Sequence, residues 1–277
     1  MEMYMIKFAI KTVVTAAAFV AAGAASAASG YVWNAGTGTG SLTFSADALS
    51  ALSASSSNIV TPTTIPTYAG APAGGAANKA VFTSGNVALT FNNATGVGDT
   101  LTSLQAANSF VNIKRTTIDA NDVQQSNSIL MYNFDVSLSN STIYADLYTR
   151  NNTAGTIVSY GKKAIFTADV AGVVGGTGGN IVVDGVSGGL ATGHASGSLA
   201  GNLRMNLATA DIILAGLGLS TSATDPVAVL VRTANWGNTS ASGVFTAPAA
   251  VPEPSSYALM GLGLVGMGLV ARRRRAD

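Results

Sequence analysis

The clearest alternation of apolar and polar positions lies between Ile129 and Val170. Tyr132, Phe134, Val136 and Leu138 alternate with Asn133, Asp135 and Ser137. A period of two places the first set on one face of a strand and the second on the other. Ser139-Asn140-Ser141 supplies a turn, after which Ile143, Ala145 and Leu147 alternate with Tyr144, Asp146 and Tyr148. A second turn over Asn151 to Gly155 leads to Thr156–Tyr160, then the link Gly161-Lys162-Lys163, then Ala164–Val170. Four strands with short links predict an antiparallel meander.

The pattern elsewhere is weaker. Ser41–Phe44 predicts a short strand feeding a helix that Ser45 caps, running to about Leu52, with Asp47 near its positive end. Met205–Leu207 followed by Thr209 as cap predicts a similar unit, its helix ending near Gly216 or Gly218. The two units suggest a duplicated element, although an Ala/Leu-rich chain produces such echoes by chance. Prolines and glycines mark Thr61 to Ala80 as a surface loop, and Gly85-Asn86 predicts a hairpin whose second strand points Val87, Leu89 and Phe91 to one side. Ser109–Arg115 reads as a strand followed by a polar loop, Thr116 to Ser128. Gly172 to Gly201 is Gly/Ser-rich, with β patches at Ile181–Val183 and Leu199–Arg204. Asp225-Pro226 reads as a turn before a late strand, Val227–Thr233. The fold class expected is mainly β: an antiparallel β-sandwich or jelly-roll-like domain with one or two short helices, plus a C-terminal transmembrane helix.

Both ends carry patterns of a different kind. Lys7 and Lys11 precede an apolar stretch, Thr12–Ala22, and Ala25-Ser26-Ala27 forms an A-x-A site. Residues 1–27 therefore read as a signal peptide, with Ala25 and Ala27 recognised by signal peptidase. The stretch is too short for a membrane anchor. At the other end, Pro252-Glu253-Pro254 is followed by an uncharged run from Tyr257 to Ala271 and then by Arg272, Arg273, Arg274 and Arg275. A helix over that run spans about 22 Å, short of a bilayer core of roughly 30 Å unless the arginines snorkel. A buried core helix is the alternative, but core helices rarely end in four arginines. Those arginines are expected to stay cytoplasmic, with everything upstream outside. Gly261-Leu262-Gly263-Leu264-Val265-Gly266 is a literal GxGxxG. A dinucleotide site needs a preceding strand, a following helix and an acid some 20 residues on, whereas here 11 residues follow and four of them are arginine.

The order Pro-Glu-Pro, short apolar helix and arginine cluster resembles the PEP-CTERM sorting signal of Gram-negative bacteria. The resemblance covers residues 251–277 only. It implies a membrane-embedded exosortase as processing partner, removal of the tail, and release from the inner membrane to the surface or the exopolysaccharide matrix. The expected organisation is then a signal peptide (1–27), a secreted β-rich domain (28–246), a linker (247–250) and the sorting signal (251–277).

Charge narrows the partners. The body carries eight basic residues against ten aspartates, a formal charge of −2, so no basic field draws nucleic acid. The whole-chain value of +1 comes from the tail arginines. The chain has no cysteine, which excludes disulfides and thiol chemistry, and the body has no glutamate. Low charge with many apolar residues is opposite to the usual composition of disorder.

Candidate chemistry is sparse. His194, the single histidine, sits in Gly193-His194-Ala195-Ser196-Gly197 with no G-x-S-x-G elbow in the chain, and reads as a solvated loop residue. Gly175 to Asn180 resembles one lone calcium nonapeptide unit, and such sites need stacked repeats. Asp119-Ala120-Asn121-Asp122 could offer oxygen ligands but reads better as a polar turn. No pair of aspartates is singled out for glycoside hydrolysis. No metal or other cofactor and no catalytic residue is expected. The reading is a non-enzymatic exported protein, structural or adhesive. A carbohydrate-binding module using exposed Tyr144, Tyr148, Tyr160 or Trp236 is the first alternative, and a secreted hydrolase the second.

Overall fold

The computed structural model describes residues 31–61, 68, 78–79, 81–169, 174–175, 181–199, 201–248 and 261–262. The predicted signal peptide and sorting signal lie outside them, except for Gly261 and Leu262, which are helical and exposed. Most of the loop predicted between Thr61 and Ala80 lies outside as well. Among the described residues no helix is long and apolar enough to cross a membrane.

Two sheets, antiparallel except where Asn78–Lys79 runs parallel to Ser109 and Phe110, face one apolar core within Tyr31–Pro248. The first is built from β1 (Val32–Trp33), β3 (Ser57–Val60), β4 (Asn78–Lys79), β7 (Asn93–Val97), β8 (Thr100–Ile118), β9 (Gln124–Ser137), β10 (Thr142–Asn151), β11 (Thr156–Ala168) and β15 (Leu203–Met205). Its order is β1-β7-β8-β9-β10-β11-β15, with β3 and β4 on the rest of the β8 edge. The second is built from β2 (Ala35–Thr43), β5 (Val81–Thr83), β6 (Asn86–Phe91), β12 (Val174–Gly175), β13 (Val182–Ser187), β14 (Leu190–Leu199) and β16 (Asn238–Pro248). Its order is β12-β14-β16-β2-β6-β5, with β13 on β14. The run β7 to β11 pairs in sequence order, so the nine-stranded sheet is a meander rather than the paired Greek keys of a jelly roll.

Two of the chain's several changes of sheet fall at a single asparagine, Asn34 between β1 and β2 and Asn92 between β6 and β7. At the second, the side chain stands in for the backbone ladder. Asn92 Nδ2 donates to the Ala107 carbonyl at 3.0 Å, and its Oδ1 accepts from the Ala107 amide at 2.8 Å. The crossover therefore leaves no backbone group of Ala107 unpaired.

Three helices complete the fold: α1 (Ala46–Ala54), α2 (Leu207–Gly216) and α3 (Pro226–Thr233). Ser45 caps α1 as its sequence predicts, accepting from Ala48 N at 3.2 Å, with Asp47 in the first turn. α2 ends at Gly216 as expected, but its cap is Asn206, one turn earlier than Thr209. Thr209 is inside the helix and donates to the Ala164 carbonyl at 2.6 Å, tying α2 to β11. The late strand predicted over Val227–Thr233 is α3. Asp225 is a helix cap rather than a turn residue, its Oδ1 accepting from Val227 N and Ala228 N at 3.0 Å each. Pro226 follows at the first helical position, where its missing N–H costs nothing. The two strand–helix units do exist locally, but β2 and β15 belong to different sheets.

Several strand limits differ from the sequence pattern, each for a local reason. Tyr132 does not share a face with Phe134. Asn133 adopts φ 52° and Asn108 φ 57°, and the β8–β9 register slips between Ala106 and Phe110. Asparagine tolerates this left-handed conformation. The bulge sends Phe134 into the main core and Tyr132 outward, against Phe110 and Leu130. Gly161, at φ 68°, is also a bulge, so Thr156–Ala168 is one strand and the four predicted strands are three. The polar loop expected over Thr116 to Ser128 shrinks to residues 119–123, because β8 and β9 pair out to Ile118 and Gln124. The hairpin turn is Ser84-Gly85, both left-handed, and Asn86 already pairs with Thr83. β16 extends to Pro248, so Ala247 and Pro248 of the expected linker belong to the sheet.

Candidate functional site

The sorting residues Pro252, Glu253, Pro254 and Arg272 to Arg275, and the signal-peptidase residues Ala25 and Ala27, all fall outside the described residues. The candidate chemistry of the body can be placed. His194 is in β14 rather than a loop, paired with Val182 of β13 and Val244 of β16. Its Nδ1 lies 2.6 Å from Asp184 Oδ1, and both side chains are about half exposed. No serine is hydrogen-bonded to its other ring nitrogen among the described residues.

Asp119 closes the β8–β9 hairpin. Its Oδ1 accepts from the amides of Asn121 at 2.8 Å and Val123 at 3.0 Å, and its Oδ2 accepts from Gln125 at 3.0 Å. The Gln125 bond, then the two amides, lower its pKa below the usual carboxylate range. Other aspartates are likewise occupied: Asp135 pairs with Lys162, Asp169 with Arg204 and Asp211 with Arg232. Among the described residues no three His, Asp or Glu side chains gather as a metal site.

The four aromatics considered for sugar stacking do not form one surface. Trp236 is buried and donates from Nε1 to the Val231 carbonyl at 3.1 Å. Tyr160 packs against the main core. Tyr148 stands edge-on to Tyr132 at 5.5 Å between centroids, and Tyr144 accepts from Asn140. Of the four, Tyr144 and Tyr148 share the outer side of β10, with Asp146 and Arg150.

Two features of the seven-stranded sheet are better formed. The first is the outer face of the seven-stranded sheet. In register across four strands stand Ser196, Ser242, Thr39 and Thr90. The next row is Ser240, Ser41 and Ala88, with the two serine hydroxyls 2.9 Å apart. Asn238, Thr43 and Asn86 make a third row, and His194, Val244 and Thr37 a fourth. Apart from His194 the four rows carry no ionisable side chain, and hydroxyls and amides both donate and accept. The signal was legible in Gly36-Thr37-Gly38-Thr39-Gly40-Ser41, a period of two without large apolar residues.

The second feature is the inner face of the same sheet. Gly36, Gly38 and Gly40 of β2, Ala195 of β14, and Ala241 and Gly243 of β16 line one wall of a partly open apolar cavity of about 130 Å³ between the sheets. Leu104, Met131, Phe134 and Ile143 of the nine-stranded sheet line the other. No charged side chain reaches it.

No curated protein and no solved structure is similar to this chain. Residues 250–275 match the PEP-CTERM protein-sorting motif, so the chain carries the C-terminal sorting signal of an exported protein, with an exosortase as its implied processing partner.

Proposed function

We propose that this is a surface or exopolysaccharide-matrix protein with a structural or adhesive role rather than a catalytic one. The sorting motif at residues 250–275 carries this reading. A signal peptidase would remove residues 1–27, the arginine-flanked tail would hold the body on the periplasmic side of the inner membrane, and the exosortase would release it. The test is the intact mass of the protein from membrane and extracellular fractions of its host. Loss of both residues 1–27 and the tail near Pro252-Glu253-Pro254 is the expected result. An intact tail found only in the membrane would reduce the protein to a C-terminally anchored one.

The hydroxyl rows favour a second reading, contact with a neutral polysaccharide. Away from the His194–Asp184 pair, the face of serine, threonine and asparagine matches a polyhydroxylated chain in donors and acceptors, without the desolvation cost of burying charge. Affinity electrophoresis through neutral and acidic polysaccharides tests it. Thr39→Val with Ser242→Ala should abolish retardation, while Tyr144→Ala should not. Loss with Tyr144→Ala alone would move the contact to the aromatic side of β10.

A further inference from the structure

We propose that the space between the two sheets is a binding site for a small, uncharged, apolar molecule, about the size of benzene or a short stretch of alkyl chain. The inference is independent of how the protein is sorted. The cavity measures about 130 Å³. An apolar cavity of roughly 150 Å3 in another protein stays dry and takes up benzene, so this one is of a size to do the same. Its walls set the ligand class. No Asp, Glu, Lys, Arg or His side chain lines it, so a charged group would enter without a partner and is excluded.

The space follows from the sequence and not from one missing side chain. Strands β2, β14 and β16 lie side by side and turn glycine and alanine inward over several consecutive inner positions. Some of these glycines make room for protein atoms. A Cβ on Gly36 would meet the Phe245 ring at 2.7 Å, and one on Gly40 would run into the Phe91 ring. Ala195 and Ala241 line the volume that no side chain fills. The opposite wall offers Leu104, Met131, Phe134 and Ile143, flexible or aromatic groups suited to contact with hydrocarbon.

The test is a titration of the full chain, held in solution by an amphipathic polymer, with benzene and separately with benzoate. Methyl NMR provides the readout. Benzene should shift the methyl signals of Leu104, Met131 and Ile143 saturably, with a Kd of about 1 mM or tighter, and leave those of Leu130 unchanged. Benzoate should shift none of them. Ala241→Leu places an isobutyl group in the space and should weaken benzene binding at least about tenfold. Ala195→Leu serves the same purpose should the first variant fail to fold. Shifts that are absent, that spread evenly over all methyls, or that persist in a folded leucine variant would overturn the site. Equal binding of benzoate would overturn its apolar character.

Discussion

The two sheets meet at one core but build it from different residues. The nine-stranded sheet turns Leu104, Val111, Ile113, Met131 and Phe134 inward. The seven-stranded sheet answers with glycine and alanine at most inner positions of β2, β14 and β16, and with large groups at Leu42, Val87, Leu89, Phe91, Leu199 and Phe245. Burying a large aliphatic or aromatic side chain contributes about 1.5–3 kcal/mol, whereas glycine contributes none and costs backbone entropy. The first sheet therefore supplies most of the hydrophobic stabilisation. The second supplies a ladder, a surface and a space.

That division predicts unequal responses to truncation. Leu147, fully buried on β10 with no solvent exposure, should cost about 2–5 kcal/mol when replaced by alanine. Ala195→Gly on the opposing wall should cost about 0.5–1 kcal/mol. Denaturant midpoints at constant m-value measure both. Equal losses would mean that the two sheets share the core evenly.

Adding atoms should bring out a different order of sensitivity between neighbouring positions of β2 and β16. A Cβ on Gly38 would collide with the carbonyl oxygen of Ser242, and backbone cannot move aside as a side chain can. Gly38→Ala should therefore destabilise by about 1–3 kcal/mol although it adds a single methyl group. Ala241→Leu, pointing into open volume, should cost less despite adding three carbons. Should Gly38→Ala prove neutral, the close approach of β2 to β16 is not what glycine provides there.

This contrast also explains what the sequence disclosed. The meander was legible because Ile143, Ala145 and Leu147 alternate with polar residues, and the structure buries them. β14 and most of β16 were missed because their inner positions are Gly193, Ala195, Gly197, Ala241 and Gly243, which carry almost no hydrophobic contrast with the serines between them. Tyr132 was misplaced because period-two reading assumes an unbroken pleat, and a bulge at an asparagine carries no distinctive pattern. The sorting signal was fully legible, because its information lies in local order and charge and needs no tertiary structure. The cavity was not, since a void depends on which faces oppose each other.

The helices belong to neither sheet and depend more on their own ends. α3 is eight residues long and buries only Ala228 and Val231, so its cap is a large share of its support. Asp225→Ala removes acceptors from two amides and should cost about 1 kcal/mol, with Asp225→Asn recovering most of it. A zero effect would show that packing of α3 against β15 and α1 suffices without the cap.

The smallest expected change at neutral pH separates the two outer faces. That of the seven-stranded sheet is polar and open, while that of the nine-stranded sheet holds a second apolar cluster of Phe110, Leu130 and Tyr132. The Tyr132 hydroxyl is buried there without a hydrogen-bond partner. Burial, then the neighbouring Tyr68 and Tyr148, pushes its pKa up to about 12. The folded state thus holds this proton more tightly than the unfolded chain. Its contribution is complete below pH 10 and is lost as pH rises towards about 12. Tyr132→Phe removes an unpaired buried hydroxyl and should be neutral or stabilising by up to about 1 kcal/mol at pH 7. Between pH 10 and 12 the variant should lose less stability than the parent chain. Urea midpoints at pH 7, 10 and 11 decide the matter. Parallel alkaline losses in the two proteins would show that the phenol is solvated in the folded state and that the second cluster is open to water.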